Sequence, residues 1–338
     1  MTWYSGIDLH STNSMVAVID EADRVVYRRR LPNDLGMIVA GLEPYRSELA
    51  GVVVESTYNW YWLVDGLQAA GYPVRLANTT AIKRYAGLKH SDDETDAVHL
   101  AHLLRLGILP TGYIDPTAER ALRDLARKRL QLVRTRNTHV LAVENIVARQ
   151  TGGHISANAV KRLQAETVGT PGLPEDVTRA LAANVAVIGT LSAEIGKLEA
   201  RLREQVRLRA AFRMITTAPG IGEVLGTTIM LETGSIARFA AVGNFASYAR
   251  CVDSKRLSNG KKKGEGNVKN GNKYLAWAFI EAANFARRYC PEAKRFYERK
   301  RAQSNGIVAT KALAHKLARA CYHIMKQEQP FDVKRCFA

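Results

Sequence analysis

Four carboxylates set in or beside apolar segments constrain this sequence most. Asp8 lies within Trp3-Tyr-Ser-Gly-Ile-Asp-Leu-His10, and Glu55 ends the run Gly51-Val-Val-Val-Glu55. Asp93 and Asp96 sit three apart in Ser91-Asp-Asp-Glu-Thr-Asp-Ala97, at the start of a helical stretch. A carboxylate at the end of a half-buried strand is costly unless a cation neutralises it. Oxygen donors of this kind suit Mg²⁺, and paired Mg²⁺ ions flank and activate a scissile phosphate. The pattern therefore points to a metal-dependent enzyme that cuts nucleic acid.

The surrounding elements supply the geometry. Trp3–Leu9, Ser14–Ile19 and Arg24–Leu31 are short, β-prone and separated by turn residues, which predicts three sequential antiparallel strands. Helical periodicity follows over Asp34–Leu49. Val52–Glu55 reads as a central strand, Tyr58–Ala70 as helix, Val74–Ala77 as strand and Asp93–Leu106 as a closing helix. Strand-strand-strand-helix-strand-helix-strand-helix is the order of a ribonuclease H-like (RuvC-like) mixed α/β sheet. In that order the first and fourth strands are neighbours, so Asp8 and Glu55 approach each other and the i, i+3 pair Asp93/Asp96 faces them. Asp92 and Glu94 compete with Asp93 as ligand, the pair Asp93/Asp96 being preferred because i, i+3 positions point the same way, and the alternative role for Asp93 is to cap the helix.

Charge divides the chain. The formal net charge is +17, yet residues 1–110 hold 10 Lys and Arg against 13 Asp and Glu, leaving 39 against 19 for residues 111–338. A mildly acidic catalytic part followed by a basic remainder suggests that the second part holds a polyanion for the first. No run of apolar residues approaches the roughly 18 of a membrane span. The four cysteines are scattered without metal-ligand spacing, so free thiols in a reducing cytoplasm are expected.

Three domains are expected: 1–110, 111–210 and 211–338. The second opens on a long helix from Thr117 to Gln150, one face of which carries Arg120, Arg123, Arg127, Lys128, Arg129, Arg134 and Arg136. That face is either a solvated surface or one that tracks phosphates. After a Gly- and Pro-rich break at Gly152–Pro174, Leu181, Ile188, Ile195 and Leu202 recur at heptad spacing. They predict a coiled-coil seam that packs back on the first helix, pairs chains, or does both.

In the third part, Thr217-Ala-Pro-Gly-Ile-Gly-Glu-Val-Leu-Gly226 is similar to the hairpin of a helix-hairpin-helix motif, whose Gly220 and Gly222 would offer backbone N–H groups to a phosphate. The stretch Ser254–Lys273 is glycine-rich and carries Lys255, Arg256, Lys261, Lys262, Lys263, Lys269 and Lys273. It suits a disordered linker or a cationic loop that closes over a phosphate backbone. The helical remainder supplies core. His99 and His102 follow Asp96 and are read as structural.

Taken together, these motifs resemble the DEDD transposases of the bacterial insertion-sequence 110 group and their Piv-type relatives. Gly6-Ile7-Asp8-Leu9, Val54-Glu55-Ser56-Thr57 and Asp93-x-x-Asp96-Ala97 with Leu100-Ala101 carry the first half of the likeness. Pro219-Gly220-Ile221-Gly222, the serine before the basic stretch, and Gly271-Asn272 before Leu275 carry the second. The resemblance implies an RNA-guided DNA recombinase of an insertion element. In it Asp8, Glu55, Asp93 and Asp96 would bind Mg²⁺, and Ser258 would attack the phosphodiester to leave a phosphoserine and a free 3′-hydroxyl. It also implies a structured guide (bridge) RNA, donor and target double-stranded DNA, and a dimer assembling to a tetramer. The group usually shows Ser-Gly after a Gly-Leu-x-Pro turn. Here Ser258-Asn259-Gly260 follows Arg250-Cys251-Val252-Asp253, which leaves Ser254 as a rival nucleophile. Two other readings stay open: a metal-dependent nuclease or Holliday-junction resolvase using water, and a non-catalytic nucleic-acid-binding protein.

Overall fold

The structure, a computed structural model, describes residues 1–82, 93–166, 168, 173–253, 256–264 and 270–337. The chain divides into two compact units, Met1–Thr117 and Ala118–Ala338. The boundary expected near residue 210 falls inside the second of these.

The first unit is a mixed sheet with helices on both faces. Strands β1 (Trp3–Leu9), β2 (Asn13–Ile19) and β3 (Val25–Pro32) form an antiparallel meander. Helix α1 (Leu35–Leu42), β4 (Leu49–Glu55), α2 (Tyr61–Ala69), β5 (Val74–Ala77), α3 (Asp93–Arg105) and β6 (Thr111–Gly112) follow. The sheet order is β3-β2-β1-β4-β5-β6, with β4 parallel to both β1 and β5. This is a mixed α/β domain consistent with the expected ribonuclease H-like arrangement. Asp34 caps α1 by accepting from the Met37 N–H at 2.8 Å. The helix expected to reach Leu49 ends at Leu42, and Glu43–Glu48 continue as a 3₁₀ turn, because the next residue but one is Pro44. The two-residue β6, antiparallel to β5, is too short to show any alternation.

Alternation along the strands decides what each face meets. Ile7, Val52 and Val54 pack with Ile38, Leu42, Leu63 and Leu67 on the α1/α2 face. Met15 and Ala17 meet Ala97, and Val53 meets Leu100, on the α3 face. Gly6 makes the second contact possible. A Cβ there would lie 2.1 Å from the Ala97 carbonyl oxygen and 2.8 Å from the Ala101 nitrogen.

The second unit is mainly helical. Helix α4 (Thr117–Thr151), the single turn α5 (Ala157–Val160) and α6 (Glu175–Val206) precede α7 (Ala210–Ile215), α8 (Glu223–Thr233) and α9 (Val242–Tyr248). A hairpin of β7 (Arg256–Ser258) and β8 (Lys261–Gly264) is followed by α10 (Lys273–Tyr289), α11 (Pro291–Gln303), α12 (Gly306–Gln327) and α13 (Val333–Phe337). Helices α4 and α6 run antiparallel. Arg129 bonds Glu199, Arg136 bonds Ser192 and His139 bonds Asn184, so positions ascending one helix descend the other. Val140 and Val143 share a core with Leu181, Val185 and Ile188. The heptad residues thus pack back within the chain, and all four are buried. No continuous apolar run in α6 reaches the length of a membrane span either, although by length and composition alone the helix is apolar enough to cross a membrane. Its Leu181, Val185 and Ile188 are instead spent on α4. In a separate core the C-terminal helices close over Phe245, Phe279, Leu313 and Leu317.

Candidate active site and nucleic-acid interface

In the first unit, strand register places the acids. Ile7 pairs with Val54 between parallel β1 and β4, which sets Asp8 beside Glu55 at the carboxyl ends of both strands. Side chains alternate. Asp8 therefore shares the face of Gly6, and Glu55 that of Val53, and both of those residues face α3. Asp96 stands on α3 directly before Ala97, the residue against Gly6. Glu55, Asp96 and His99 line one open cavity of about 350 Å³ with Thr79, Ile82 and Leu100. Asp93 starts α3, and Asp92 lies outside the described residues.

Asp8 is 4% exposed. Its Oδ2 lies 3.3 Å from Nε2 of His10, a neighbour that the sequence reading passed over although it is only two residues away. The His10 carbonyl in turn accepts from Asn33 and Asn59, which tie the end of β1 to the loops that follow β3 and β4. His102 is structural as expected: with Arg105 it holds Asp23 in the turn between β2 and β3. His99 lines the cavity instead.

These oxygen donors are of the type Mg²⁺ prefers, and a buried carboxylate at a strand end calls for a cation. Among the described residues, however, no three His, Cys, Asp or Glu side chains stand grouped to hold a metal ion. Asp8, Glu55 and Asp96 share a face but are not drawn together around a common point.

In the second unit, Ser258 ends β7. It pairs in register with Lys261 across the two-residue turn Asn259-Gly260, whose φ values of 49° and 72° have the signs of a type I′ turn. Ser258, Lys261 and Lys263 are exposed. The segment expected as a linker or floppy loop thus contains a β-hairpin, and Asn-Gly between strand residues was the signal for it. Ser254, Lys255 and Lys269 lie outside the described residues; Arg256 and Lys262 take part in the hairpin ladder.

The base of this loop is pinned. The Asn272 N–H donates to the Tyr248 carbonyl at 2.6 Å, and the Arg250 guanidinium donates to the Gly271 carbonyl at 2.9 Å. Asn272 also caps α10, its Oδ1 accepting from Tyr274 and Leu275. Its Nδ2 donates to Glu232 at 2.6 Å. Glu232, on α8, is buried and receives a bidentate Arg127 at 2.6 and 2.7 Å. Burial opposes the Arg127 charge, but Glu232 more than offsets it and raises the guanidinium above its ordinary value.

That pairing corrects the expected basic face of α4. Arg127 is committed to Glu232 and lies 4.6 Å over the Tyr274 ring. Arg129 is committed to Glu199, and Arg120 is 2% exposed, so neither belongs to an open surface. Arg123 is half-buried; Lys128 and Arg134 are exposed. Gly220 also serves packing, because at φ +79° a Cβ would lie 2.3 Å from the Ala282 carbonyl oxygen. Gly222 is exposed at the N-terminus of α8 with open space around it. Lys273 stands at the start of α10, exposed, beside Tyr274.

Comparison with known proteins gives this arrangement its class. A model of DEDD transposases of the IS110 kind, described as a transposase, matches residues 5–149. A model described as the transposase IS116/IS110/IS902 family matches residues 212–298. The chain belongs to this family of bacterial transposases. It is 24% identical over 341 residues to a probable family 20 transposase of Pseudomonas aeruginosa, covering 96% of each chain. It is also 30% identical over 159 residues to the insertion element IS900 uncharacterized 42 kDa protein of Mycobacterium paratuberculosis, covering 44% of this chain and 37% of that protein.

Proposed function

We propose that this transposase is an RNA-guided DNA recombinase that moves its own element through a serine nucleophile. The observation that carries the catalytic half is the register that sets Asp8 beside Glu55 on the face shared with Asp96. Asp8, Glu55, Asp93 and Asp96 are the residues that would hold Mg²⁺, which when bound neutralises the charge developing on the phosphate. Ser258, exposed at a hairpin tip among lysines, is the nucleophile. Its Oγ bonds to phosphorus as the P–O3′ bond breaks. The serine proton passes to a base and the leaving oxygen ends as a 3′-hydroxyl, so the phosphodiester energy is kept in a phosphoserine ester for rejoining.

Lys261 and Lys263, with Lys255, Arg256, Lys262, Lys269 and Lys273, would hold the strand backbone near Ser258. Arg123, Lys128, Arg134 and Gly222 would add contacts away from it. The α4/α6 hairpin is the coiled-coil arm through which protomers would pair into a dimer and then a tetramer. Guidance by a structured RNA rests on the resemblance of the motifs, because a basic surface serves RNA and DNA alike.

The test incubates the full chain with donor and target duplexes, Mg²⁺ and RNA transcribed from the element's flanking DNA. An SDS-resistant adduct mapped to Ser258, requiring both the RNA and Asp8, supports the proposal. Cleavage without an adduct assigns the chain to water-using nucleases or resolvases. Binding without any Mg²⁺-dependent product leaves a non-catalytic binder.

A further inference from the structure

A further cleft lies in the C-terminal part of the second unit. It has a volume of about 610 Å³ and opens between α11, α12 and the segment that leads into α13. Lys300, His315, Lys316, Arg319, His323 and Arg335 line it, against one acid, Asp332. Asp332 is already occupied, accepting from the Lys334 and Arg335 N–H groups as the cap of α13. Lys316 is likewise committed, bonded to the Cys336 carbonyl and lying over the Phe296 and Phe337 rings. Arg335 donates to Gln327, a neutral partner. Among the described residues, Lys300, Arg319 and Arg335 have no carboxylate partner, so the cleft presents uncompensated positive charge. A concave, cation-lined site of this size suits a ligand carrying phosphate groups. Its wall also holds Phe331, half-buried, as a flat apolar surface.

We infer that this cleft is a phosphate-binding site that takes an unpaired nucleic-acid strand, seating one or two nucleotides with backbone on Lys300, Arg319 and Arg335 and a base against Phe331. A rigid duplex is convex and cannot enter such a hollow, whereas a single strand can splay a nucleotide into it. Lys300, Arg319, Phe331 and Arg335 lie outside the segments matched by the family models, and binding at them can be read whether or not Ser258 reacts.

The two histidines supply a signature. Burial and then Arg319 hold His315 below its ordinary value; burial, Arg335, Arg319 and Lys326 do the same for His323. The other titratable groups at the cleft are Lys300, Lys316, Asp332, Arg335 and the Cys336 thiol, which burial pushes up to about 11. A bound phosphate favours the protonated imidazoles, so binding takes up protons and tightens as the pH falls from 8 toward the depressed histidine range.

The experiment is an NMR titration of the full chain with labelled imidazoles, His315 and His323 being assigned through His315→Gln and His323→Gln. The probes are inorganic pyrophosphate, single-stranded DNA and RNA decamers, and a duplex of equal length. Strand binding should shift both imidazole signals and raise their titration midpoints, while His139 and His154 serve as controls. Lys300→Ala with Arg319→Ala should weaken it roughly tenfold. Whichever decamer saturates the shifts at lower concentration identifies the strand as DNA or RNA. Shifts with pyrophosphate alone, equal shifts with the duplex, or unmoved His315 and His323 during strand binding would each overturn the assignment.

Discussion

Ser258 stands directly opposite Lys261 in the β7–β8 ladder, with only Asn259 and Gly260 between them. A type I′ turn needs positive φ at both central residues, so the presentation of the serine rests on backbone conformation rather than on packing. Among the described residues other than its chain neighbours, no atom lies within 4 Å of a Cβ built on Gly260, and the cost of Gly260→Ala is therefore conformational, about 1 kcal/mol at φ +72°. We expect Gly260→Ala to reduce the yield of the Ser258 adduct several-fold while leaving DNA binding intact. Adduct yield and filter binding on the same preparation separate the two. An unchanged yield would mean that the hairpin does not set the nucleophile.

The close approach of β1 and α3 depends on Gly6 in the same way that the hairpin depends on its turn, but here the obstacle is steric. The atoms that would meet a Cβ belong to the backbone of a helix, and no rotamer change relieves them. Gly6→Ala should destabilise the first unit by roughly 3 kcal/mol, the upper end for overpacking. It should also push Asp96 away from Asp8 and Glu55. Gly196→Ala, on the exposed side of α6 with open space around it, is the control and should stabilise by about 0.5–1 kcal/mol. Urea unfolding of both variants checks the contrast; similar behaviour would remove the argument for the glycine in Gly6-Ile7-Asp8.

Much of the first unit was legible because β1, β2 and β4 are short, mainly apolar runs bounded by turn residues and the acids stand at or near element ends. Val52, Val53 and Val54 announce a central strand, and the order of elements then dictates that β1 and β4 adjoin. The sequence was less informative about basic residues. Arg127 and Lys128 look alike on a helical wheel, yet one meets Glu232, which is 105 residues away, and the other meets solvent. No periodicity reports a long-range ion pair. Gly220 was read for its N–H groups, but its role is set by the carbonyl of Ala282, 62 residues later on α10. Helical periodicity also overran at Leu42, where Pro44 decided the end.

Arg127, Glu232 and Asn272 join α4, α8 and the base of the serine loop in one buried node. Replacing the carboxylate by an amide leaves the partly buried guanidinium only Asp124, 3.7 Å away, as counter-charge, and a single oxygen to accept from both Arg127 and Asn272. Glu232→Gln should cost about 3 kcal/mol of stability in the second unit. Arg127→Leu combined with Glu232→Leu should cost less than the sum of the single changes, since neither charge is then stranded. A double-mutant cycle in urea measures the coupling. Strict additivity would show that the node is not a unit.

The β2–β3 turn makes the first unit sensitive to acid. Burial alone would push the Asp20 carboxyl up, but the N–H groups of Arg24 and Ala22 and the Arg24 guanidinium outweigh it and hold the group below its ordinary range. At Asp23 burial is likewise outweighed, here by Arg105 and His102 of α3. Both folded-state values lie below the unfolded ones. The stability they contribute is therefore fully present above about pH 5 and lost as the pH falls through the depressed values. Asp20→Asn and Asp23→Asn should lower Tm at pH 7 and flatten its decline between pH 5 and 3, because the variants have no proton to take up at these sites. Because Asp23 ties the turn to the helix that carries Asp96, its variant should also weaken any Mg²⁺-dependent activity at neutral pH. Melting curves across that range decide the matter: a wild type and variants that decline in parallel would locate the acid sensitivity elsewhere.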